Sequence, residues 1–587
     1  MTFPALGEFL GHLDSIGELK RIKVPVDSKL EVTEIAVRTL KEGKPALLFE
    51  NVIGSTFPLA INVYASEKRI ERALGKHPEQ IGEELISFFE SMMPPNPRSL
   101  WRQRKFLWRL IRSRGKSVQG GSSQEIVEVP DLDTLPIQIC WPKDGGRFVT
   151  QGQVFSYDPK DGRRNVGMYR LQVYDHQTTG MHIQIERGGG FHLFRAEQLN
   201  QDLPVAVALG TDPALLLATV AALPEGLDEV TFASFLRGAA IPMVRGKVVH
   251  SYVPANAEFV LEGIVPAHQR RMEGPFGDHF GHYSSVAPFP EFHLKTITHR
   301  RNAIYPATIV GVPPMEDKFV GDATQEILGP LVKLLHKEID EVWAYYEAGF
   351  HNLLVVSVEE RYKKEAMKAA LGLLGTGQLS LTKCLVLVSK GVEVRNWDAV
   401  LREIGEHFDP HFDFVLIPKV SQDTLDFTSY KMELGSKMVV DATQKKRSRP
   451  RKSTRRIDSG EVRRMDRRIL DASIREDVLL TVKVSRDGRA VVEKLVRRKE
   501  LAQFKMLVAV SDDVDIHDRE NLIWGTFSRF DCERDLTFSE QQLIGISPIY
   551  KGVMGIDATW KKGYPEPLVM DPAIVKKVNN RWESYWH

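Results

Sequence analysis

One stretch of this chain occurs twice. V-S-K-G-V-E-V-R-N-W-D-A-V-L at 388–401 is echoed by V-S-D-D-V-D-I-H-D-R-E-N-L-I at 510–523. Phe408–Asp409 is echoed by Phe530–Asp531, and M-V-V-D-A-T at 438–443 by M-G-I-D-A-T at 554–559. Self-similarity of this kind marks one supersecondary unit used again, either as a duplicate or as one copy split by an insertion. Around the first copy, Leu353–Val358 and Cys384–Val388 are short apolar runs, flanked by amphipathic stretches such as Lys363–Leu374. That alternation is α/β. Lys437, just ahead of the first M-V-V-D-A-T, becomes Val553 in the second copy, so function is expected in the first.

The rest of the chain divides by composition. Residues 1–118 read as an N-terminal α/β domain. Leu6, Phe9, Leu10, Leu13 and Ile16 recur at helical spacing, Ala46–Phe49 is strand-like, and a basic, Trp-bearing stretch covers Trp101–Arg114. The Gly/Ser break at 119–123 is the first boundary. From 124 to 322 short strands dominate, among them Gln153–Tyr157, Leu171–Tyr174, Met181–Ile185 and Val205–Leu209, which suits a barrel or sandwich. Residues 323–443 form the C-terminal α/β domain, 444–470 a basic linker, and 471–587 the second partial copy. Twelve Lys/Arg fall within 445–468. A solvated linker is the plain reading, with RNA or anionic lipid as alternatives. No aromatic residue is interleaved there for base stacking, which argues against nucleic acid and leaves membrane contact peripheral at most.

A length of 587 residues requires several domains, and a net charge of +2 selects no partner. Cys140, Cys384 and Cys532 are far apart in sequence and form no CxxC, which fits a reducing compartment. With no basic n-region, no long apolar leader and no run of eighteen apolar residues, the expected location is cytoplasmic.

Two short segments carry chemistry. E-G-P-F-G-D-H-F-G-H-Y at 273–283 puts Glu273 and Asp278 five residues apart across a Gly/Pro turn. A surface turn with two solvated acids would look the same. An acid pair held in different environments would instead suit acid–base work. N-V-G-M-Y-R at 165–170 brings Asn165 and Arg170. An arginine beside one acid would hold its pKa down, and an Asn carbonyl suits Mg²⁺ or Mn²⁺.

Together these segments resemble the UbiD family of prenylated-FMN decarboxylases. The resemblance extends over about residues 1–443, through R-G-G-G (187–190), V-A-L-G-T-D-P-A (207–214), L-P-E-G-L-D-E (223–229), V-P-A-N-A-E-F-V-L-E-G (253–263) and G-S-K-M-V-V-D-A-T (435–443). A-T-I-V-G-V-P-P-M-E-D-K (307–318) looks most like the menaquinone-route branch. The fold implied is a multidomain mixture of α/β and β: an N-terminal α/β domain, a central split β-barrel similar to flavin reductases, and the C-terminal α/β domain with its second partial copy.

The resemblance also implies roles. Arg170, Glu273 and Asp278 are the catalytic trio, with Arg170 and Glu273 paired beside the flavin and Asp278 the proton donor. For that, Asp278 should be kept protonated by its apolar neighbours Phe276 and Phe280. Asn165, Met168, Arg170, Arg187 and Lys437 would contact prenylated FMN. Asn165 and Glu229 would hold Mn²⁺ or Mg²⁺, with K⁺ as a further cation. The third metal ligand falls on Glu186, where many relatives carry a histidine, or else on His182 or His192. His279 and His282 form H-x-x-H, which suits tuning of Asp278 better than zinc on so Gly-rich a turn. The implied reaction is reversible, non-oxidative decarboxylation of an aromatic or α,β-unsaturated acid through a covalent prenylated-flavin adduct. A quinone precursor of hydroxybenzoate or dihydroxynaphthoate type is the expected substrate. A flavin prenyltransferase would supply the cofactor to a homo-oligomer. The rivals are a split-barrel flavin oxidoreductase and a non-catalytic protein that binds through its basic linker.

Overall fold

The computed structural model describes residues 3–93, 96–113, 115–184, 188–223, 226–445 and 457–587. It forms two compact units, Met1–Leu328 together with Glu566–His587, and Gly329–Pro565. The division falls a few residues beyond the expected boundary at 322/323. The Gly/Ser break at 119–123 separates no compact unit, because the strand Lys116–Val118 pairs in parallel with Pro242–Arg245.

The first unit opens with a four-stranded sheet in the order Leu19–Ile22, Ala46–Phe49, Leu59–Ile61, Tyr305–Pro306. The first helix, Leu6–Ser15, buries Leu6, Phe9, Leu10 and Leu13 at the spacing read from the sequence. Ile16 ends that helix as its C-cap and is exposed. A larger, antiparallel sheet follows in the order Thr178–Gly180, Ala287–His299, Phe259–Val265, Leu203–Leu209, Gln153–Tyr157, Arg164–Met168. The long strand Ala287–His299 also pairs with Arg270–Glu273 and Ile126–Glu128. The expected strand over Leu171–Tyr174 shortens to Leu171–Gln172. Residues 181–184 form no strand; there Met181 donates its N–H to the Pro290 carbonyl.

The second unit holds two five-stranded sheets of one design. The first runs Ile339–Ala344, Leu353–Val358, Cys384–Ser389, Leu434–Asp441, Phe414–Ser421. Its twin runs Ile469–Arg475, Leu479–Val484, Met506–Val510, Ser547–Ala558, Leu536–Ile544. In both, the outer pairs are antiparallel and the inner pairs parallel. Of the inner strands, Leu353–Val358 and Met506–Val510 are buried along their whole length, as parallel strands inside an α/β sheet are. The repeat is thus a second whole sheet. Cys384 and Cys532, distant in sequence, bring their sulfurs to 4.0 Å as buried free thiols.

Two expectations are corrected. The second copy does not run from 471 to 587: Glu566–His587 rejoins the first unit. Its helix Pro572–Arg581 packs on the helix Glu31–Lys41, where fully buried Glu31 accepts from Arg581, Tyr585 (2.8 Å) and Lys577 (2.8 Å). Within the expected linker 444–470, Ser459–Arg463 is helical, with an N-terminal capping box between Asp458 and Glu461. Residues 446–456, the densest part of the charge run, lie outside the described residues. Among the described residues no helix is long and apolar enough to cross a membrane.

Candidate active site

The acids of the Gly/Pro turn meet the arginine of N-V-G-M-Y-R inside the first unit. Arg170 lies just past the strand Arg164–Met168, and Glu273 ends the strand Arg270–Glu273. The Arg170 Nε and Nη2 donate to Glu273 Oε1 at 3.0 and 2.8 Å. Nη1 donates to Asp278 Oδ2, and Nη2 also reaches Ser284 Oγ at 3.1 Å. The guanidinium lies over the Phe276 ring, 4.6 Å from its centre. The Glu273 side chain is fully buried, and those of Arg170 and Asp278 nearly so. This is no solvated surface turn.

The turn is shaped by its glycines and by a buried acid. Gly274 has φ +101°, a conformation L side chains avoid. A Cβ on Gly277 would come within 2.2 Å of the Trp141 ring. Asp144 accepts the N–H of Gly277 (2.8 Å) on one oxygen and those of Trp141 (2.8 Å) and Cys140 (3.0 Å) on the other. Burial nevertheless pushes Asp144 up to about 6. From the other side, the returning chain straps the turn. Leu568 N–H donates to the Gly281 carbonyl (2.9 Å), and Tyr283 N–H to the Glu566 carbonyl (3.2 Å).

The electrostatics overturn one expectation. Burial would raise the Asp278 carboxyl, but the Arg170 charge and hydrogen bonds from His279 pull it well below the usual carboxylate range. Phe276 and Phe280 do not keep it protonated. Phe276 is engaged by the guanidinium, and Phe280 packs on the His279 ring at 4.6 Å. His279 approaches Asp278 Oδ1 with both its backbone N–H and its Nδ1, each at 2.7 Å. Glu273 is likewise held low: burial opposes, while Arg170 and His182 prevail.

His182 belongs to this cluster. Its Nδ1 lies 3.1 Å from Glu273 Oε1, its ring packs on Phe289, and burial lowers its pKa. Two buried atoms of the cluster, Glu273 Oε2 and His182 Nε2, have no hydrogen-bond partner among the described residues. Buried polar atoms are mostly hydrogen-bonded in native proteins, so two unpaired ones in a single charged cluster leave room there for a further partner.

Nearby on the same strand, the Asn165 amide presses on the start of the helix Gly188–Gln198. A Cβ on Gly188 would meet it at 2.0 Å, so only glycine fits there. Glu229 Oε2 accepts the N–H of Val166 at 3.0 Å, which sets its carboxylate beside Asn165. Glu229 has no ion-pair partner among the described residues, and burial pushes it up to about 7. A half-buried pair of hard oxygen donors fits a divalent ion. Of the third-ligand alternatives, His182 faces Glu273 and His192 Nδ1 faces Ser156 Oγ at 2.9 Å. Glu186 and Arg187 lie outside the described residues. Met168, half-buried, ends the strand Arg164–Met168 opposite Gln153. Lys437 belongs to the second unit, where its buried Nζ donates to the carbonyls of Ser380 (2.7 Å) and Thr382 (3.0 Å).

Sequence reasoning did not find Asp144 or Ser284, and weighed His182 only as a metal ligand. Ser284 stands one residue beyond the 273–283 motif and closes its turn by accepting the Phe276 N–H, while nothing near Asp144 in sequence sets it apart.

Comparison with known proteins gives the family of the chain. Three family models match the chain: the N-terminal domain of 3-octaprenyl-4-hydroxybenzoate carboxy-lyase over residues 10–89, its Rift-related domain over 116–313, and its C-terminal domain over 318–442 and 475–558. An uncharacterised protein of Archaeoglobus fulgidus is 42% identical over 450 residues, covering 76% of this chain and 92% of its own. A 4-hydroxybenzoate decarboxylase component from Chlamydia pneumoniae is 35% identical, covering 97% of this chain and 96% of its own. Among solved structures, the vanillic acid decarboxylase of Sedimentibacter hydroxybenzoicus in closed form superposes with a TM-score of 0.68 at 25% identity, over 78% of this chain and 96% of its own. The UbiD-class enzyme HmfF from Pelotomaculum thermopropionicum, in complex with FMN, superposes with a TM-score of 0.63 at 26% identity, over 77% of this chain and 97% of its own.

Proposed function

Because this chain belongs to the UbiD family of carboxy-lyases, we propose that its Arg170–Glu273–Asp278 cluster decarboxylates an aromatic acid with the help of prenylated FMN. The observation that carries this reading is one guanidinium shared by two buried carboxylates, beside two orphaned buried atoms, Glu273 Oε2 and His182 Nε2. A hydroxybenzoate or dihydroxynaphthoate, the expected kind of quinone precursor, suits such a site.

Asn165 and Glu229 would hold Mn²⁺ or Mg²⁺ against the cofactor phosphate, with Glu186 as the third ligand. Met168 would lie against the ring and Arg187 would contact phosphate, whereas the Lys437 Nζ is taken up by the Ser380 and Thr382 carbonyls within the second unit. When bound, the prenylated flavin supplies the sink for the electron pair that CO₂ leaves behind. The protein's own part is electrostatic. Arg170 keeps Glu273 ionised and orients Asp278. An incoming substrate carboxylate competes for the same guanidinium, and its like charge raises the pKa of Asp278. Asp278, with His279 Nδ1 held 2.7 Å from its Oδ1, then delivers the proton to the carbon that lost CO₂.

The test is CO₂ release from a panel of aromatic acids by enzyme loaded with prenylated FMN, run beside NAD(P)H oxidation. CO₂ release that depends on cofactor, with no NAD(P)H consumed, is expected. Asp278→Asn should bind substrate but incorporate solvent deuterium into product far more slowly. Incorporation at the wild-type rate would assign the proton to another group. Glu229→Ala should purify with little flavin and no metal; full flavin occupancy would refute the Asn165–Glu229 site.

A further inference from the structure

Between Asn96 and Gln124 the chain carries eight cationic residues and no Asp or Glu. Two helices occupy this stretch, Pro97–Arg102 and Arg104–Arg112. Among the described residues, the contacts that fix the second to the first unit lie along one side. Phe106 stacks on Phe88 at 4.0 Å and packs on Phe235 at 4.9 Å. Arg109 donates to the carbonyls of Phe235 (2.8 Å) and Leu236 (3.1 Å). At roughly 100° per residue, Arg104, Lys105, Trp108, Ile111 and Arg112 share an arc of about 120° on the opposite side. All five are exposed. Trp108 is 54% and Ile111 58% exposed, and Trp101 on the preceding helix reaches 69%.

We infer that this outer face docks the protein onto an anionic lipid surface. A helix that carries tryptophan and an aliphatic residue between arginines and lysine, on a face the protein does not cover, has the make-up of an interfacial helix. The guanidinium of Arg104 lies 4.1 Å from the Trp101 ring centre, and that of Arg112 lies 5.0 Å from the Trp108 ring centre. Each indole is thus already faced by a cation. That favours indoles lying at headgroup depth with phosphates around the cations, and disfavours stacking of nucleic-acid bases on the same rings. Ile111 has no role against a nucleic acid, whereas a bilayer buries it. The face is distinct from the catalytic cluster, and the inference does not depend on the proposed reaction.

The experiment is sedimentation of the full-length chain with phosphatidylcholine vesicles, with and without ~30% phosphatidylglycerol, in ~0.1 M salt. Binding to the anionic vesicles alone is expected. Arg104→Glu, Lys105→Glu and Arg112→Glu together should weaken it by about 100-fold or more. Trp101→Ala with Trp108→Ala should weaken it several-fold and abolish quenching of tryptophan fluorescence by brominated lipid. These positions are exposed, so melting temperatures should hold and certify folding. A deletion of 446–456 serves as the control for the basic linker. The inference is overturned if the triple reversal binds as wild type does, if the linker deletion alone removes binding, or if single-stranded RNA binds this face more tightly than the vesicles. A change of oligomeric state in the tryptophan variant would overturn it too, by assigning the face to a second copy of the chain.

Discussion

Two clusters of buried charge, one in each compact unit, are built from the same materials to different ends. In the second unit the twin sheets are joined by reciprocal lysines. Lys383 of the first copy donates to the Phe530 carbonyl of the second at 3.0 Å, and its counterpart Lys505 donates back to Phe408 at 2.6 Å. This is the self-complementary pattern of a two-fold interface, written within one chain. Each copy repeats its own braces as well. Lys445 reaches Asp441 and Asp413, as Lys561 reaches Asp557 and Asp535. Lys383 is paired with Asp426 at 3.0 Å, and Asp426 is further satisfied by Thr428 and Gln422. The Lys383 Nζ and both Asp426 oxygens are thus paired. In the catalytic turn, by contrast, Glu273 Oε2 and His182 Nε2 have none among the described residues. Burial of charge is common to both clusters, and the unpaired Glu273 Oε2 and His182 Nε2 are where these two differ, although Arg69 Nε, Glu316 Oε2 and Arg475 Nε are also buried and unpaired among the described residues. The copies themselves part at Lys437 and Val553, so duplication kept the joint but not that lysine.

The contrast is open to direct test. Glu273→Gln should lower kcat by at least about 100-fold, the scale on which preorganised electrostatic groups act, while the melting temperature changes little. Activity within about twofold of wild type would place Glu273 among the braces. Lys383→Met should do the reverse. It leaves Asp426 buried without its cation, which costs about 3–5 kcal/mol. Chemical denaturation should show that loss, with turnover per folded molecule preserved. Lys505→Met, at the less buried mirror position, should cost about 1–2 kcal/mol. Equal losses at the two lysines would show that the joint is energetically symmetric.

Asp144 supplies the smallest and most diagnostic effect. Its folded pKa of about 6 lies above the ordinary value, so the folded chain binds the proton more readily. Its contribution to stability is therefore greatest at low pH and falls as pH rises from about 4 to about 6, by at most about 3 kcal/mol. Asparagine cannot accept backbone N–H groups on both side-chain ends, so Asp144→Asn should be less stable than wild type throughout. Its deficit should narrow over that window and then stay level. Melting curves of the two proteins from pH 4 to 8 check the sign.

Much of this was legible beforehand, for identifiable reasons. The twin sheets followed from a repeat whose strands keep their apolar runs. Arg170, Glu273 and Asp278 came from two short motifs, and the structure brings them together. What could not be read lies outside the two motifs, where no pattern of residues accompanies the long-range contact. His182 reaches Glu273 across 91 residues, Ser284 reaches Arg170 across 114, and Asp144 reaches Gly277 across 133. Apolar neighbours in sequence, Phe276 and Phe280, do not set the protonation of Asp278. One ring faces a guanidinium and the other an imidazole, and the Coulomb field of Arg170 decides the matter. The reciprocal lysines lie outside the strongest matches of the repeat, so only the fold exposes them.

The strap across the catalytic turn also sets an order in time. Glu566 and Leu568 close backbone hydrogen bonds on Tyr283 and Gly281, and the helix beyond them lets Tyr585 reach Glu31 across 554 residues. At about 5–20 residues per second, a ribosome that has completed the turn needs about 15–60 s more to make its strap. Throughout that interval the growing chain carries Arg170, Glu273 and Asp278, yet the backbone groups of Gly281 and Tyr283 wait for partners still to be made. The active site is thus among the last parts of its unit to be finished, although its residues are synthesised in the first half of the chain.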